Sequence, residues 1–150
     1  MQVFKFQKNT ADIHRSVVTI GNFDGIHLGH HALISTAVQE SKTRGCVSAL
    51  VTFDPHPQEI VHSKKSVSRI STPVHQLRLL EKIGLDELHV IPFTKELSQM
   101  PPAEFALQFL IKCFDLAKLV IGYDFRFGKY RAGDFKLLEN LSQKYNFSLE

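Results

Sequence analysis

The 150-residue chain contains no tryptophan and only two cysteines. No apolar run approaches the roughly 18 residues a membrane span requires, and the opening "MQVFKFQKNTADIHRS" lacks the apolar core of a secretory signal. Cys46 and Cys113 stand far apart in apolar contexts with no C-x-x-C pair, which argues against a disulfide framework and reads as two core thiols of a reducing compartment. Charge of one sign is also lacking: 18 Lys+Arg against 15 Asp+Glu leave a net charge of +3. The basic residues are scattered, which argues against nucleic acid or a membrane surface as partner while leaving room for a local basic funnel around a phosphorylated ligand. There is no internal repeat and no low-complexity linker. A single cytoplasmic domain is expected, able to bury about two thirds of the surface its unfolded chain exposes; the pattern specifies no oligomeric state.

Apolar, β-branched runs alternate with helical patterns. "SVVTIGNF" (16–23), "CVSALVTF" (46–53), "ELHVIPF" (87–93) and "LAKLVIGY" (116–123) read as four strands, and "NFSLE" as a fifth that is cut short. Helical spacing runs from Leu33 to a stop at Gly45, from Pro73 to Ile83, from Pro101 and Pro102 onward with Phe105, Phe109 and Phe114 on one face, and from Asp134 to Tyr145. The segment between Asp54 and Thr72 is polar and reads as loop. This alternation predicts an α/β fold, a parallel sheet with helices on both faces and an incomplete last strand. In such sheets ligands bind beyond the carboxyl ends of the strands, where helix N-termini converge. Three unusual loops follow strands one, two and four, "FDGIHLGHH", "TFDPHPQE" and "GYDFRFGKYRAGD", so all three are expected at one edge.

The first loop has three readings. His27 and His30, with Asp24 or His56, could ligate a metal; Gly25 could simply serve a tight turn; or the segment could cradle phosphate. Gly21, Gly25 and Gly29 fit neither a dinucleotide fingerprint nor a Walker loop. The phosphate reading uses every feature present: glycines admit close backbone approach, the start of a helix offers unpaired N–H groups, and two imidazoles add charge-assisted donors. It is adopted here, and no residue is assigned as a metal ligand.

"GNFDGIHLGHHAL", "VTFDPHP" and "VIGYDFRFGKYRAGD", in this order, resemble the bacterial FAD synthetases, a family of the H-x-G-H nucleotidyltransferase superfamily. In these proteins an N-terminal adenylyltransferase domain is usually fused to a riboflavin kinase. The resemblance implies a Rossmann-like nucleotidyltransferase fold and transfer of AMP from ATP to FMN, giving FAD and pyrophosphate with Mg²⁺ assisting. His27 and His30 match the motif histidines and are expected to be catalytic. Gly21, Asn22, Phe23, Asp24, Gly25, Leu28, Gly29, Asp124 and Arg131 are expected at the nucleotide; Asp54, Pro55, His56, Pro57, Phe125 and Phe127 at the flavin. Asp124 could bond the ribose or amine, or hold Mg²⁺ through water. Taken alone, Asp54–Pro57 reads as a stiff turn, since two prolines fix the backbone around His56; its place beside the first loop and the resemblance bring contact with the flavin level with that reading, and at least one of Phe125 and Phe127 should plug the core. The basic stretch Lys64, Lys65 and Arg69 reads as a solvated loop, with a flap over the flavin as the alternative.

One family feature is missing. The late Ser-Thr-x-Ile-Arg signature, expected after the fifth strand, is absent where the sequence stops at Glu150, and "SRIST" at 68–72 has the wrong order and position. The expectation is a C-terminally truncated adenylyltransferase domain, residues 1–150, without a kinase domain and with transfer impaired. The alternatives are another H-x-G-H nucleotidyltransferase with a different phosphorylated acceptor, or a non-catalytic binder of ATP or flavin.

Overall fold

The computed structural model describes residues 1–5, 14–23, 28–61 and 72–150. Among the described residues six strands form one parallel sheet: β1 (Gln2–Lys5), β2 (Arg15–Ile20), β3 (Val47–Asp54), β4 (Glu87–Pro92), β5 (Asp115–Val120) and β6 (Ser148–Leu149), in spatial order β1-β4-β3-β2-β5-β6. The helices are α1 (Leu28–Arg44), α2 (Pro57–Val61), α3 (Pro73–Ile83), α4 (Lys95–Ser98), α5 (Pro102–Phe105), continued by a π-helical turn over Ala106–Ile111, and α6 (Phe135–Tyr145).

The period of two in the central strands builds both layers. Val18 and Ile20 of β2 join Ala49 and Val51 of β3 in a core with Phe105, Phe109, Leu110, Leu138 and Leu141, under α5, the π-turn and α6. On the opposite face Leu50 packs with Ile34, Val38 and Leu80, and Val17 with Ala37 and Val120, under α1 and α3. Strands buried on both faces carry continuous apolar runs because neither side meets water. Fully burying each such Val, Leu or Ile is worth about 1.5–3 kcal/mol, so the central strands form a rigid base for the loops above them. Cys46 and Cys113 pack against these cores, and desolvation raises both thiols above their ordinary range.

Four expectations need correction. β1 was not anticipated: its exposure pattern is that of a short edge strand, with Val3 turned to solvent, so no alternation marks it. Residues 57–61 are helical rather than loop. The helix opened by Pro101 and Pro102 is short and widens into a π-turn, with Phe114 beyond its end, its N–H bonded to Leu110 O at 3.2 Å. The first and fourth predicted strands end earlier, at Ile20 and Val120, which releases Gly21–Phe23 and Gly122–Tyr123 into the loops. Gly45 stops α1 as predicted, at φ +62°, a left-handed conformation that side chains with a Cβ disfavour.

Candidate functional site

The chain runs outward from β2 through α1 to β3 and β4, then returns to the other side of β2 as β5. The point of reversal lies between β2 and β5, where doubly wound sheets open a crevice. The three unusual loops leave β3, β2 and β5, which are adjacent in that order, so they emerge side by side.

Each loop is tied to its neighbour. Gly21 N–H donates to Val51 O at 3.1 Å, joining the exit of β2 to β3. Gly122 holds the corresponding place at the exit of β5. A Cβ placed on it would lie 3.3 Å from Asp124 Oδ1 and 3.8 Å from Leu33 Cδ1 of α1, so the β5 loop rests beside the first turns of that helix. Phe93 N–H donates to Asp54 O at 3.1 Å, fixing the end of β3 against the exit of β4.

In the first loop Asp24, Gly25 and His27 lie outside the described residues. Leu28 begins α1 and is 91% exposed, Gly29 is exposed, and His30 is half-buried. Asn22 is exposed. Phe23, expected at the nucleotide, is 8% exposed, and its ring belongs to the core under α1, because the turn after Ile20 points it inward beside Ile34 and Leu80. Its ring meets the His30 ring nearly edge to face, centroids 4.8 Å apart at 61°. The 17-residue α1 has no acidic residue in its first turn and Lys42 and Arg44 in its last. Its positive end therefore points, uncompensated by a carboxylate of that turn, toward the crevice.

In the second loop His56 Nδ1 accepts the Gln58 N–H at 3.2 Å, and His56 O accepts the Glu59 N–H at 2.9 Å. The imidazole thus helps start α2, and the neutral ring carries its proton on Nε2. Asp54 is exposed, and Pro55 and Pro57 flank the histidine half-buried.

In the third loop Phe125 N–H donates to Gly122 O at 3.0 Å, closing a turn that leaves Asp124 exposed and Tyr123 fully in solvent. Phe127, expected at the flavin, is 7% exposed: its ring is committed to the core and stacks under Phe125, centroids 5.4 Å apart at 18°. Phe125 is the half-buried ring of the pair. Arg131 is exposed with φ +56°, next to Tyr130 at φ +57°. The row continues downward, Phe127 to Phe105 at 5.9 Å, Phe105 to Phe53 at 6.2 Å and Phe53 to Phe93 at 5.5 Å, so rings link the third loop to the second. Phe53 and Phe93 were not singled out in the sequence; their signal was the aromatic end shared by two strands, "TF" and "PF", while Phe105 stands in α5.

The model of the family described as FAD synthetase matches residues 9–150. The chain belongs to the FAD synthetase family. It is 35% identical over 150 residues to the bifunctional riboflavin kinase/FMN adenylyltransferase of Buchnera aphidicola subsp. Acyrthosiphon pisum, covering 99% of this chain and 48% of that protein. With the protein of the same description from Escherichia coli K12 it is 34% identical over 133 residues, 89% of this chain and 42% of the relative. The chain thus spans about half the length of the relatives it matches. Among solved structures, the crystal structure of a macrolide-efflux protein from Streptococcus pneumoniae superposes with a TM-score of 0.81 at 25% identity, covering 99% of this chain and 49% of that one. Efflux is a description of that protein alone; among the described residues here no helix is long and apolar enough to cross a membrane.

Proposed function

We propose that residues 1–150 form an adenylyltransferase domain that transfers AMP from ATP to FMN, giving FAD and pyrophosphate, in the cytoplasm. The observation that carries this reading is the emergence of all three motif loops side by side from β3, β2 and β5, at the reversal point of the sheet. A phosphate oxygen of FMN attacks the α-phosphorus of ATP in line, the bond to the bridging oxygen breaks, and pyrophosphate leaves. No covalent enzyme intermediate is needed, so the protein contributes positioning and stabilisation of charge on the transferring group. His27 and His30 donate to those oxygens, and the positive end of α1 adds its dipole, with Gly29 admitting close approach. Gly21, Asn22, Asp24, Gly25 and Leu28 frame the phosphates, Asp124 bonds the nucleoside, and Arg131 pairs with phosphate. On the acceptor side, Asp54–Pro57 meets the FMN phosphate or ribityl chain through the Nε2 proton of His56, and the isoalloxazine lies against Phe125.

Among the described residues no group of three His, Cys, Asp or Glu could hold a metal ion. Mg²⁺ carried in by the nucleotide would keep several waters and take one or two carboxylates plus substrate phosphates; exposed Asp124 would hold it through water only in place of its bond to the nucleoside. The ion would neutralise charge on the phosphate oxygens.

The test is to incubate the chain with ATP, Mg²⁺ and either FMN or riboflavin and to follow FAD and pyrophosphate by chromatography, with binding of both flavins read by their fluorescence. Without tryptophan the protein contributes little competing emission. FAD from FMN, with FMN bound more tightly than riboflavin, is expected. Equal affinity for the two flavins would remove the phosphate contact, and FMN binding with no pyrophosphate release would reduce the protein to a flavin binder.

A further inference from the structure

We infer that Gln76 of α3 is a positioning residue for His30, an inference that rests on the adenylyl-transfer reading. Gln76 Nε2 donates to the carbonyl oxygen of Phe23 at 2.9 Å, a bond between residues 53 positions apart. Phe23 is the last described residue of the turn after β2, and its ring is the surface against which the His30 imidazole rests, 4.8 Å away. The same ring lies over the start of that turn, since a Cβ on Gly21 would stand 3.2 Å from Phe23 Cε2. Phe23 is thus held from three sides: the core under α1, Gly21, and the Gln76 amide.

The position of the amide makes the bond informative. Gln76, Leu80 and Ile83 share one stripe of α3, the stripe that faces the core with Leu80 3% exposed. An apolar residue at 76 would continue the stripe and leave the Phe23 carbonyl, half-buried among these side chains, without its partner. A glutamine there places a polar group in a costly position unless it is bonded, and the bond it makes goes to the residue beside His30. α3 thereby fixes the seat of the imidazole without touching any reacting atom. Misplacement of a catalytic donor by about 1 Å can lower a rate roughly 100-fold, so a tether of this kind acts on turnover more than on substrate affinity.

The test compares three variants of the 150-residue chain. Gln76→Met keeps the length and removes the donor, Gln76→Glu faces one acceptor with another, and Gln76→Lys keeps a donor. Two readouts are taken on each: the His30 imidazole proton resonances, which the Phe23 ring displaces, and steady-state kinetics with ATP and FMN. In Gln76→Met and Gln76→Glu the His30 resonances are expected to move toward those of a histidine with no aromatic ring beside it, and kcat to fall about tenfold or more while KM for both substrates changes much less; Gln76→Lys should restore both. His30 resonances and kcat that stay at wild-type values in Gln76→Met overturn the inference, as does a lowered Tm with the His30 resonances in place, which would mark a purely structural amide. If Gln76→Met does not fold, Gln76→Glu against Gln76→Lys gives the same contrast. If the wild-type chain forms no FAD, the functional reading fails, and the resonances still decide whether Gln76 seats His30.

Discussion

Phe127 and Gly133 bond each other in both directions, Phe127 N–H to Gly133 O at 3.2 Å and Gly133 N–H to Phe127 O at 2.8 Å, closing the tip of the third loop into a ring. Arg126 pairs with Asp134 at 3.3 Å beside this bridge, and Asp134 Oδ1 accepts the Leu137 N–H at 2.9 Å to cap α6. The closed tip is pressed onto the start of α5, where Lys129 N–H donates to Met100 O at 2.8 Å. Arg131 therefore sits on a built loop rather than on a free one, and Asp124 on the separate turn closed by Phe125 N–H and Gly122 O.

The first prediction follows from that pressing. Gly128 adopts φ +72° and ψ −176°, a conformation nearly confined to glycine, and a Cβ there would fall 2.6 Å from Pro102 Cα. Gly128→Ala should cost at least about 2 kcal/mol of stability, strain and overpacking combined. Gly45→Ala is the control: its φ is +62° but nothing lies within 4 Å of the added carbon, so it should cost only about 1 kcal/mol. Urea unfolding of both proteins measures the difference; equal losses would show that the contact with Pro102 yields freely.

Thr19 offers the opposite sign. It is fully buried in β2, and its Oγ1 has no hydrogen-bond partner among the described residues. Thr19→Val keeps the shape and removes a hydroxyl that lost its water on folding, so stability should rise by about 1 kcal/mol. A lower unfolding midpoint in Thr19→Val would mean that the hydroxyl is bonded in solution.

How much of this was legible depended on which force set each feature. The central strands and α1, α3 and α6 were readable because burial on fixed periods decides them, down to the Pro73–Ile83 bounds of α3. β1 was not, since an edge strand with solvent on Val3 needs no pattern. The loops were placed at the correct edge by topology alone. Which ring faced inward was not, because Phe125 and Phe127 alternate in the same way whichever one is buried; only the packing of Phe105 beneath selects Phe127. Gln76 carried no motif, and its role exists only once α3 lies against the turn after β2.

Lys118 of β5 is nearly buried between Glu40 of α1, at 3.1 Å, and Glu150, and this trio sets a pH window. The hydrogen bond from Lys118 holds the Glu40 carboxyl below its ordinary 4.5, aided by Arg44. A lowered acid contributes stability above its ordinary value and loses that contribution as pH falls through the folded one. The bond to Glu150 raises Lys118 above 10.5, against desolvation, so its contribution is present below 10.5 and is lost as pH rises beyond it. Tm should therefore be flat across neutral pH and fall at both ends. Lys118→Met should flatten the acid limb, measured by thermal scans between those limits; an unchanged acid limb would assign the fall to other carboxylates.

Replacing His27 or His30 by alanine should lower kcat by about 10²–10³, the loss typical of one donor to transition-state charge, while FMN affinity changes much less. Rapid-mixing turnover and flavin titration on the same samples separate the two. A tenfold loss of FMN binding with kcat intact would move the histidines from the transferring phosphate to the acceptor.

Asp124 distinguishes two chemistries for one carboxylate. The turn closed by Phe125 and Gly122 leaves it exposed, with Leu33 of α1 close beneath the same glycine. As an acceptor for the ribose or amine it contributes a charged hydrogen bond, worth about 1.5–3 kcal/mol, and Asp124→Asn should raise KM for ATP by roughly ten- to a hundredfold. The Mg²⁺ concentration needed for half-maximal rate should then stay where it was, because the ion's ligands would be phosphates and water. If the carboxylate instead holds a water on the ion, the same substitution should raise the Mg²⁺ requirement and leave KM for ATP at saturating Mg²⁺ nearly unchanged. Titrating ATP at several fixed Mg²⁺ concentrations reads both quantities from one data set. The nucleoside contact predicts movement along the ATP axis alone, since a carboxylate that touches only the ribose or amine gains nothing from the metal.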